Sequence, residues 1–507
     1  MATRQEEYEM TRSHSAGSSR DYERQEEEEE EEEEEEAQLL DKEDSSSSSS
    51  DDEWTVIVDE DQQELPPDNP IMRYVCLGLA IGFGYFVVRM ILTLSGHDHT
   101  KHREAEKLYH NGSDYFASTV LLISFDGFRP DYLDRHITPN LKKLAEDGVM
   151  AKYMHPSYPP STFPNHWTLV TGLYPETHGI VANSFYDPEM GLFQHTDHSA
   201  TSNHSWWKGE PIWLTSRMHR QRTASIMWPG SETHHNTPDY VVPFNGSMDM
   251  KEKMDITLKW LDMEYDQRPQ MISIYIPQVD QEGHIGGPNS SKMNKYIQEA
   301  DDAIGYLTDE LSKRNLDSHV HIVVVSDHGM TATTKDKLIY YDDILPANLL
   351  KYVRNKSPLS TLEFQPNMTK ETIQQIYQQL SNYTHTHHFN VYLRQNMPDR
   401  YHYKHSDRIA PIVVIPDIGY TFVTHKTPLE QLGAGDHHGY DNLAEDMRAM
   451  FVAFGPKINK VYKQGSILAP FFNVEVYGFI SELLNMDAAP NNGSIGVEFP
   501  VIYEPPF

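Results

Sequence analysis

The sequence predicts an α/β domain in which a largely parallel central sheet is covered by helices on both faces. Two observations predict it. Short, nearly continuous runs of Val, Ile and Leu are typical of strands buried on both sides, and segments with helical spacing lie between them. These features occupy residues 118–490 of the 507-residue chain. The predicted domain is preceded by a linker, 96–117, and followed by a C-terminal extension, 491–507.

Three apolar runs, each followed closely by an acidic residue, are the main strands that the sequence predicts. They are Ser118–Phe125, Met271–Pro277 and His319–Val325. Three later runs, FNVYLR, PIVVIP and MFVAFG, have the same strand-like composition. Together they would supply the central sheet.

Helices are predicted between and after these strands. Thr138 is placed to cap the first of them, Pro139 occupies its first position and Gly148 ends it. Lys292–Lys313 has helical spacing of its apolar residues, and the segment FNVEVYGFISELLN, which begins at Phe472, is typical of a late helix. The alternation of strands and helices favours a parallel sheet.

The N-terminal segment 1–69 has a very different composition. It carries 27 acidic and 5 basic side chains, so residues 70–507 contribute only about −12 of the net charge of −34. Glu26–Glu36 is an unbroken glutamate run and Ser45–Ser50 is a serine run. Such a segment repels itself and buries too little apolar surface to fold, which predicts a disordered acidic tail. The remainder has no basic footprint of a nucleic-acid-binding protein.

Residues 70–95 are predicted to form one transmembrane helix. Ile71–Leu94 is 24 residues long, and its only charged residues, Arg73 and Arg89, lie near its ends. That length is enough to cross a hydrocarbon core of about 30 Å, and both arginines can reach the interface. The long polar segment in front of it is unlike a cleavable signal peptide.

The orientation of this helix depends on two opposing signals. Lys101, Arg103 and Lys107 on the C-terminal side outnumber Arg73, which favours a cytosolic catalytic domain. N-glycosylation sequons favour the opposite orientation, and eight follow the helix. They begin at Asn111, Asn203, Asn245, Asn289, Asn355, Asn367, Asn382 and Asn492. We give the sequons more weight, and therefore expect a single-pass type II membrane protein with a cytosolic tail and an extracellular or secretory or vacuolar lumenal domain.

Cysteine usage limits the chemistry. The only cysteine is Cys76, inside the predicted membrane segment. The large domain therefore contains no disulfide, no thiolate zinc site and no cysteine nucleophile. A domain of this size can bury enough apolar surface to fold without disulfides.

The stretch HPSYPPSTFPNHW, His155–Trp167, contains four prolines and the hydroxyl of Thr162. Because proline disfavours helix interiors and central strands, this stretch predicts a rigid turn or loop. A loop of fixed conformation could hold a single hydroxyl group in a defined place.

Residues of the kind that bind metals follow each main strand. Asp126 follows the first strand, Asp280 and His284 follow the second, and Asp327 and His328 follow the third. A later loop adds a further group, Asp436, His437 and His438. Taken singly, each has a plain explanation as a helix cap, a turn residue or a surface pair. Ligands of α/β sheets bind beyond the carboxyl ends of the strands, so together they predict a site for zinc or a similar divalent ion.

These motifs resemble the signatures of a known family. LLISFDGFRPDYL, STFPNHWTLVTGLYPETHGIVANSFYDP, VDQEGH, SDHGM and DHHGYDN occur in the order found in the nucleotide pyrophosphatase/phosphodiesterase family of the alkaline phosphatase superfamily. The resemblance covers about residues 118–485 and implies an alkaline-phosphatase-like fold. The short type II layout, without additional domains, is similar to that of the fungal members.

The resemblance also implies a site with two Zn²⁺ ions. One ion would be held by Asp126, Thr162, Asp327 and His328. The other would be held by Asp280, His284 and His438. His438 is favoured over His437 because it directly precedes GYDN, although the two imidazoles are adjacent.

Thr162 would be the nucleophile that forms a phosphothreonyl intermediate, and Asn183 would help to hold a non-bridging phosphate oxygen. Phe163 and Phe244 would stack on a nucleobase, unless they only pack within the protein. The implied activity is hydrolysis of nucleoside triphosphates, dinucleotides or nucleotide sugars to nucleoside 5′-monophosphates. The sequence leaves two alternatives open: a phosphodiesterase acting on lysophospholipids, and an inactive glycoprotein used for binding.

Overall fold

A nine-stranded sheet runs through the part of the chain that the computed structural model describes, residues 108–354, 361–427 and 437–505. In chain order, the strands of this part are β1 (Tyr109–His110), β2 (Tyr115–Phe116), β3 (Thr119–Phe125), β4 (Val149–Ala151), β5 (Met154–His155), β6 (Ser184–Asp187), β7 (Gly191–Gln194), β8 (Thr223–Ile226), β9 (Tyr240–Val242), β10 (Met271–Ile276), β11 (Val320–Val325), β12 (Leu338–Tyr340), β13 (Phe389–Leu393), β14 (Ile412–Pro416), β15 (Thr421–Val423), β16 (Phe451–Phe454), β17 (Ser466–Leu468), β18 (Phe471–Phe472) and β19 (Val501–Tyr503).

The helices of the same residues lie between these strands. They are α1 (Pro139–Asp147), α2 (Thr162–Thr171), α3 (Pro175–His178), α4 (His198–Ser202), α5 (Ile212–Met218), α6 (Met250–Leu261), α7 (Gln278–Gly286), α8 (Ser291–Lys313), α9 (Tyr341–Ile344), α10 (Ala347–Leu350), α11 (Lys370–Ser381), α12 (Ile458–Val461) and α13 (Glu475–Leu483). The predicted first helix, the long central helix and the late helix are α1, α8 and α13.

The strand order of the large sheet is β19-β17-β4-β16-β11-β3-β10-β8-β9. Strands β8 to β11 and β3 pair in parallel, whereas β16 is antiparallel to both of its neighbours and β19 is antiparallel to β17. The prediction of a largely parallel sheet is confirmed. The sheet is mixed because the run MFVAFG enters it as the reversed strand β16 and because the edge strand β19 is also reversed.

The centre of the sheet explains why the main strands read as continuous apolar runs. Every residue of β3, β10 and β11 is buried. Because successive side chains of a strand point to opposite faces, complete burial requires that both faces be covered. The three strands are neighbours, and they end close to the same level: Phe125 pairs with Ile276, and Ser124 pairs with Val325.

Two of the strand-like runs do not join this sheet. FNVYLR and PIVVIP form β13 and β14, which pair only with each other as an antiparallel ribbon. They belong to a second, smaller apolar core that also includes β12, β15 and α11. Its buried side chains include Ile339, Ile344, Ile376, Phe389, Val414 and Phe422.

The folded part extends beyond both predicted domain boundaries. In the predicted linker, β1 and β2 form a short hairpin whose Phe116 is buried. In the predicted C-terminal extension, Phe499 is buried and β19 forms an edge of the large sheet. Short strands and isolated buried aromatics of this kind give weak periodicity, so the sequence does not mark them.

Several predictions fall outside the described residues: the acidic tail 1–69, the transmembrane helix 70–95, and the residues Cys76, Asn355 and Asp436. Among the helices that are described, none combines the length and hydrophobicity needed to cross a membrane. Of the seven described sequon asparagines, Asn111 is half-buried and the others are exposed.

Candidate active site

The three central strands deliver the predicted metal-type residues to one edge of the sheet. Asp126 follows β3 directly, and Asp327 and His328 follow β11. After β10 the chain turns into α7, on which Asp280 and His284 lie one helical turn apart. Since the strands are parallel neighbours, their carboxyl ends bring these side chains together.

Gly127 allows the close approach of two of these segments. Its φ is +67°, and an added Cβ would lie 3.1 Å from Asp280 Oδ1 and 3.2 Å from Asp280 Cα. A side chain at this position would therefore be strained and would also displace Asp280. The backbone N–H of Gly127 donates to Asp327 Oδ1 at 3.1 Å, which ties the first strand end to the third.

Thr162 does not lie in an irregular loop, and the loop prediction for His155–Trp167 is wrong from this residue onward. Thr162 begins helix α2, with Ser161 at the N-cap position. Pro164 is tolerated because it occupies the first turn, where a backbone N–H has no partner inside the helix. The nucleophile candidate is therefore at a helix N-terminus, where partial positive charge favours anions.

The first group of side chains surrounds the Thr162 hydroxyl. Thr162 Oγ1 lies 3.5 Å from His328 Nε2. The same nitrogen is 3.0 Å from Asp327 Oδ2 and 3.5 Å from Asp126 Oδ1. All four side chains are buried. These are the four residues that the resemblance assigned to one ion.

The second group adjoins the first. His284 Nε2 is 3.3 Å from Asp280 Oδ2, and His438 Nε2 is 3.9 Å from Asp280 Oδ1. The rings of His328 and His438 stack with centroids 3.9 Å apart, which joins the two groups. His438, rather than His437, has its nitrogen within reach of the shared carboxylate.

The carboxylates fit divalent cations because their oxygens lack other partners. Asp126 Oδ1, Asp280 Oδ1 and Asp327 Oδ2 are buried and accept no hydrogen bond within the described residues. Burying an anionic oxygen without a partner is costly. Potential ligand atoms of Asp280, His284 and His438, and those of Asp126, Asp280 and His328, lie within 4.8 Å of one another in each trio. Oxygen and imidazole donors in this arrangement suit zinc and similar ions.

Backbone carbonyls orient two of the imidazoles. His328 Nδ1 donates to Gly329 O at 2.8 Å, and His438 Nδ1 donates to Pro160 O at 2.9 Å. With Nδ1 donating to a carbonyl, each Nε2 is directed towards the carboxylates. Outer hydrogen bonds of this kind fix the tautomer of metal-binding histidines.

The electrostatics also favour a cation. Burial, followed by the charges of Asp327 and Asp280, raises the pKa of Asp126 well above its usual value. Burial alone would raise the pKa of Asp327, but His328 and His166 outweigh it and lower that pKa. Burial and then His328 lower the pKa of His438 to about 3, so this imidazole is neutral at pH 7. A bound cation would relieve the repulsion among the carboxylates.

Asn183 lies beside the helix N-terminus that carries Thr162. Its Oδ1 accepts a hydrogen bond from the backbone N–H of Phe163 at 2.9 Å. The Phe163 ring is half-buried and contacts Phe193, His195 and Trp207. Phe163 is therefore partly a packing residue, with one side left accessible.

Phe244 is 57% exposed, and its ring centroid lies 6.4 Å from that of Tyr275. Tyr275, in turn, donates its hydroxyl hydrogen to Asp126 Oδ2 at 2.5 Å. The structure thus brings Phe244 to the neighbourhood of the Asp126 group.

Tyr275 is the residue that the sequence reasoning missed. It lies inside the apolar run MISIYIP, which by itself predicts only a buried strand. The feature that could have identified Tyr275 is its hydroxyl group, because a tyrosine in a fully buried strand needs a hydrogen-bond partner. Helix α7, which follows the same strand, supplies Asp280, and the neighbouring strand β3 leads into the hydrogen-bond partner itself, Asp126.

Two further residues fix helix α2 in place. His166 Nδ1 donates to Thr162 O at 2.8 Å, and its Nε2 is 2.8 Å from Ser124 Oγ. Asn165 donates to Pro159 O and Ser161 O, and its Oδ1 accepts from Ser157 N and from Asn473, each at 2.9 Å. The position of the Thr162 hydroxyl is therefore determined by hydrogen bonds on several sides of α2.

The chain matches known proteins over this domain. A family model described as type I phosphodiesterase / nucleotide pyrophosphatase matches residues 120–441. An uncharacterized pyrophosphatase/phosphodiesterase of Schizosaccharomyces pombe is 43% identical over 398 residues, which are 76% of this chain and 81% of that protein. Ectonucleotide pyrophosphatase/phosphodiesterase family member 3 of Rattus norvegicus is 36% identical over 382 residues, 74% of this chain. The chain spans only 43% of that second relative.

A solved structure agrees with both comparisons. It is murine ectonucleotide pyrophosphatase/phosphodiesterase 5, in an inactive threonine-to-alanine form in complex with AMP. It matches with a TM-score of 0.68 and 30% identity over 75% of this chain and 99% of that chain. The central mixed sheet is therefore an alkaline-phosphatase-like α/β fold.

This fold, with an Asp/His cluster at the carboxyl edge of its sheet, defines a hydrolase of phosphate esters. The chain belongs to the type I phosphodiesterase / nucleotide pyrophosphatase family. It is accordingly an enzyme of the pyrophosphatase/phosphodiesterase class, and the family expected from the sequence motifs is confirmed.

Proposed function

We propose that this chain uses divalent metal ions to hydrolyse phosphodiester and pyrophosphate bonds in nucleotides, and that it releases nucleoside 5′-monophosphates. Nucleoside triphosphates, dinucleotides and nucleotide sugars are the substrates we expect. One observation carries the proposal: the Thr162 hydroxyl, at a helix N-terminus, lies 3.5 Å from His328 within a group of buried carboxylates whose oxygens lack partners.

Two Zn²⁺ ions would complete the site. Their proposed ligands are the two groups described above, with Asp126, Thr162, Asp327 and His328 in one and Asp280, His284 and His438 in the other. When bound, such ions stabilise negative charge on an attacking hydroxyl oxygen and on a leaving oxygen. The neutral state of His438 at pH 7 is the state that binds a metal.

In the proposed reaction, Thr162 Oγ1 attacks phosphorus in line with the leaving oxygen. The bond from Oγ1 to phosphorus forms while the bond to the leaving group breaks, which gives a phosphothreonyl intermediate. Water then cleaves that ester and regenerates Thr162. The N-terminus of α2 contributes favourable charge to the phosphoryl oxygens throughout.

Asn183, Phe163 and Phe244 would bind the nucleotide that remains on the enzyme. The amide oxygen of Asn183 is used by Phe163 N–H, so its amide nitrogen is the end that can donate to a non-bridging phosphate oxygen. The accessible faces of Phe163 and Phe244 would stack on the base. The AMP complex of the murine relative, formed by a threonine-to-alanine variant, supports this assignment.

The catalytic domain would act outside the cytosol, as the membrane-anchored part of a type II protein. The rat relative is named an ectonucleotide pyrophosphatase/phosphodiesterase, which supports an extracellular or lumenal location for the catalytic domain. Exposed sequon asparagines, among them Asn203, Asn245, Asn289, Asn367, Asn382 and Asn492, would carry glycans.

The experiment that tests the activity compares the purified full-length chain with Thr162→Ala. Each is incubated with ATP, a dinucleotide, a nucleotide sugar and a lysophospholipid, and the products are identified by chromatography. We expect nucleoside monophosphates from the parent chain and at least about a 10³-fold loss in the variant. Thr308→Ala, which removes a threonine hydroxyl from helix α8, is the matched control. Lysophospholipid cleavage without nucleotide cleavage would refute the proposal.

Metal removal gives an independent test. Exhaustive chelation should abolish hydrolysis, and added Zn²⁺ should restore it, because the buried carboxylates would otherwise repel both one another and the anionic substrate. The active protein should contain about two zinc ions per chain, as measured by atomic emission spectroscopy. Full activity after complete metal removal would contradict the metal-dependent assignment.

A further inference from the structure

A cavity of about 780 Å³ opens beside the second group of metal-type residues. Its lining includes Asn183, His284 and His438 as well as Arg354, Glu363 and Phe364. Its volume is within the range of about 300–1,000 Å³ that is usual for small-molecule sites. Neither Phe163 nor Phe244 lines it. Its wall residue His195 contacts the Phe163 ring, so the cavity adjoins the aromatic pair assigned to the nucleobase and is lined by other residues.

The position of the cavity relative to Thr162 identifies the part of a substrate that it can receive. In an in-line displacement the leaving oxygen points away from the nucleophile. Thr162 lies in the first group, beside His328, and neither residue lines the cavity, whereas His284 and His438 of the second group do. A leaving group that departs opposite Thr162 would therefore enter this cavity.

Arg354 differs from the other arginines that line the cavity. Arg408 is committed to Asp187 and two carbonyl oxygens, and Arg394 is committed to Asp407 and two carbonyl oxygens. Arg354 uses only Nη2, which donates to Glu363 Oε2 at 2.5 Å and to Ser184 Oγ at 3.3 Å. Within the described residues, its Nε and Nη1 donate to no protein atom. They remain as donors for a ligand.

Arg354 is also connected to the reaction centre. Ser184, which accepts its hydrogen bond, directly follows Asn183, and Asn183 accepts from the backbone of the residue next to Thr162. The guanidinium is thus held against the first residue of β6, directly after Asn183, the residue proposed to contact the phosphate. Guanidinium groups bind phosphate oxygens through paired N–H donors, and they do so more specifically than ammonium groups.

We propose that this cavity binds the leaving group and that Arg354 contacts its phosphate oxygens, so that the enzyme favours phosphorylated leaving groups such as pyrophosphate or a nucleoside phosphate. The inference builds on the proposed function of the same site. When the phosphorus–oxygen bond breaks, the electron pair stays on the leaving oxygen. A leaving phosphate therefore gains negative charge, which Arg354 can stabilise.

Glu363 moderates this contact. Its carboxylate pairs with Arg354 across the cavity wall and competes with a phosphate for the same guanidinium. Loss of the carboxylate should strengthen binding of an anionic leaving group, whereas loss of Arg354 should weaken it. Opposite effects of two neighbouring substitutions cannot arise from a shared loss of folding.

The test uses the full-length, zinc-loaded chain and two substrates that deliver different leaving groups. ATP releases pyrophosphate, and the 4-nitrophenyl ester of thymidine 5′-monophosphate releases an aryl group without phosphate. Arg354→Gln should lower kcat/KM for ATP about tenfold more than for the aryl ester, the loss expected for one charge-assisted hydrogen bond. Lys351 is exposed, lies three residues before Arg354 and does not line the cavity. Lys351→Gln should therefore change neither value of kcat/KM.

Product inhibition by inorganic pyrophosphate gives the second readout. Its inhibition constant should rise about tenfold in Arg354→Gln and fall in Glu363→Gln. Equal losses on both substrates, or an unchanged inhibition constant in Arg354→Gln, would overturn the leaving-group assignment while leaving the proposed activity intact. If the parent chain hydrolyses neither substrate, the proposed function itself fails, and the leaving-group assignment fails with it.

Discussion

At the scale of single residues, the site depends on a hydrogen bond that engages one oxygen of a carboxylate and leaves the other oxygen facing the site. Tyr275 donates to Asp126 Oδ2, while Asp126 Oδ1 has no hydrogen-bond partner within the described part of the chain. The hydroxyl therefore fixes the carboxylate so that one oxygen faces His328. Hydrogen bonds to the outer oxygen of a metal-binding carboxylate commonly tune metal affinity.

Removing this hydroxyl should weaken metal binding more than folding. Tyr275→Phe is expected to lower zinc affinity about 10- to 100-fold, because Asp126 loses the bond that orients it. The measurement is competition with a chromophoric chelator, which reports affinity without reference to activity. Tyr306→Phe removes a comparable hydrogen bond, to Asp255 at 2.6 Å, far from these ligands, and serves as control. Equal affinities in the parent and Tyr275→Phe would show that Asp126 needs no such support.

The sequence predicted the residues of the site better than their surroundings. Asp126, Asp280 and Asp327 were identified because each follows an apolar strand, and parallel strands end at one edge. The supporting contact of Tyr275 was not predicted, since it joins residues 149 positions apart in the chain. Pairings over such distances leave no local pattern in the sequence.

At the scale of elements, the start of helix α1 is stabilised by a residue from another helix. Thr138 occupies the N-cap position, as its sequence context predicted, but its side chain makes no capping hydrogen bond. Asp301, on α8, accepts from the backbone N–H groups of Asn140 and Leu141 at 3.1 and 2.7 Å instead. The cap is therefore tertiary, and it joins α1 to α8.

This tertiary cap should be worth measurable stability. Asp301→Ala is expected to cost about 1–3 kcal/mol, because one buried and one partly buried N–H group of α1 lose their acceptor. Asp302 is the next residue on α8 and is exposed. Asp302→Ala makes the same change in helix propensity, so it should leave the free energy of unfolding nearly unchanged. Urea-induced unfolding of the two variants provides the comparison. Equal destabilisation would refute the capping role of Asp301.

Element types were predicted most reliably where burial is complete. Strands β3, β10 and β11 differ from their predicted bounds by one residue at an end. The helix that begins at Thr162 was missed because Pro156, Pro159, Pro160 and Pro164 dominate the local pattern. Only one of them, Pro164, lies inside the helix, and it does so in the first turn, which tolerates it.

At the scale of the whole molecule, several buried histidines make the fold sensitive to acid. Burial lowers the pKa of His178 to about 3 and that of His321 to about 4 from an ordinary value of 6.5. Both therefore fold as neutral side chains. His178 Nε2 lies 3.0 Å from Thr168 Oγ1, and its Nδ1 accepts from the backbone of Ile180.

The sign of the resulting pH dependence follows from these pKa values. The unfolded chain binds protons below pH 6.5, and the folded chain does so only near pH 3 to 4. The contribution of each histidine to stability is thus complete above pH 6.5 and is lost progressively as the pH falls towards its folded pKa. At pH 5, each of the two histidines should therefore lower the free energy of unfolding by about 2 kcal/mol relative to its value above pH 6.5.

Denaturation of His178→Gln at pH 7.5 and pH 5 checks this expectation. The glutamine takes up no proton, so the variant should lose about 2 kcal/mol less stability than the parent chain between the two pH values. His198→Gln, at an exposed position, should follow the parent chain. Parallel losses in all three proteins would contradict the assignment of acid sensitivity to buried neutral histidines.

The overall architecture could be predicted because it depends on buried strands, and burial on both faces gives a strand a recognisable apolar composition. The direction of β16, the pairing of β13 with β14 and the edge strand β19 could not be predicted. The direction and partner of a short strand are set by the path of the chain between elements. The central proposal is chemical, namely that Thr162 attacks phosphorus and carries the nucleotide as a covalent intermediate.

Trapping the covalent intermediate tests that claim most directly. The full-length, zinc-loaded chain is mixed with ATP, quenched in acid within milliseconds, digested and analysed by mass spectrometry. We expect adenosine monophosphate esterified to the peptide that contains Thr162, with no adduct in Thr162→Ala. Rapid product formation with an unmodified Thr162 peptide, or an adduct on another residue, would contradict the account.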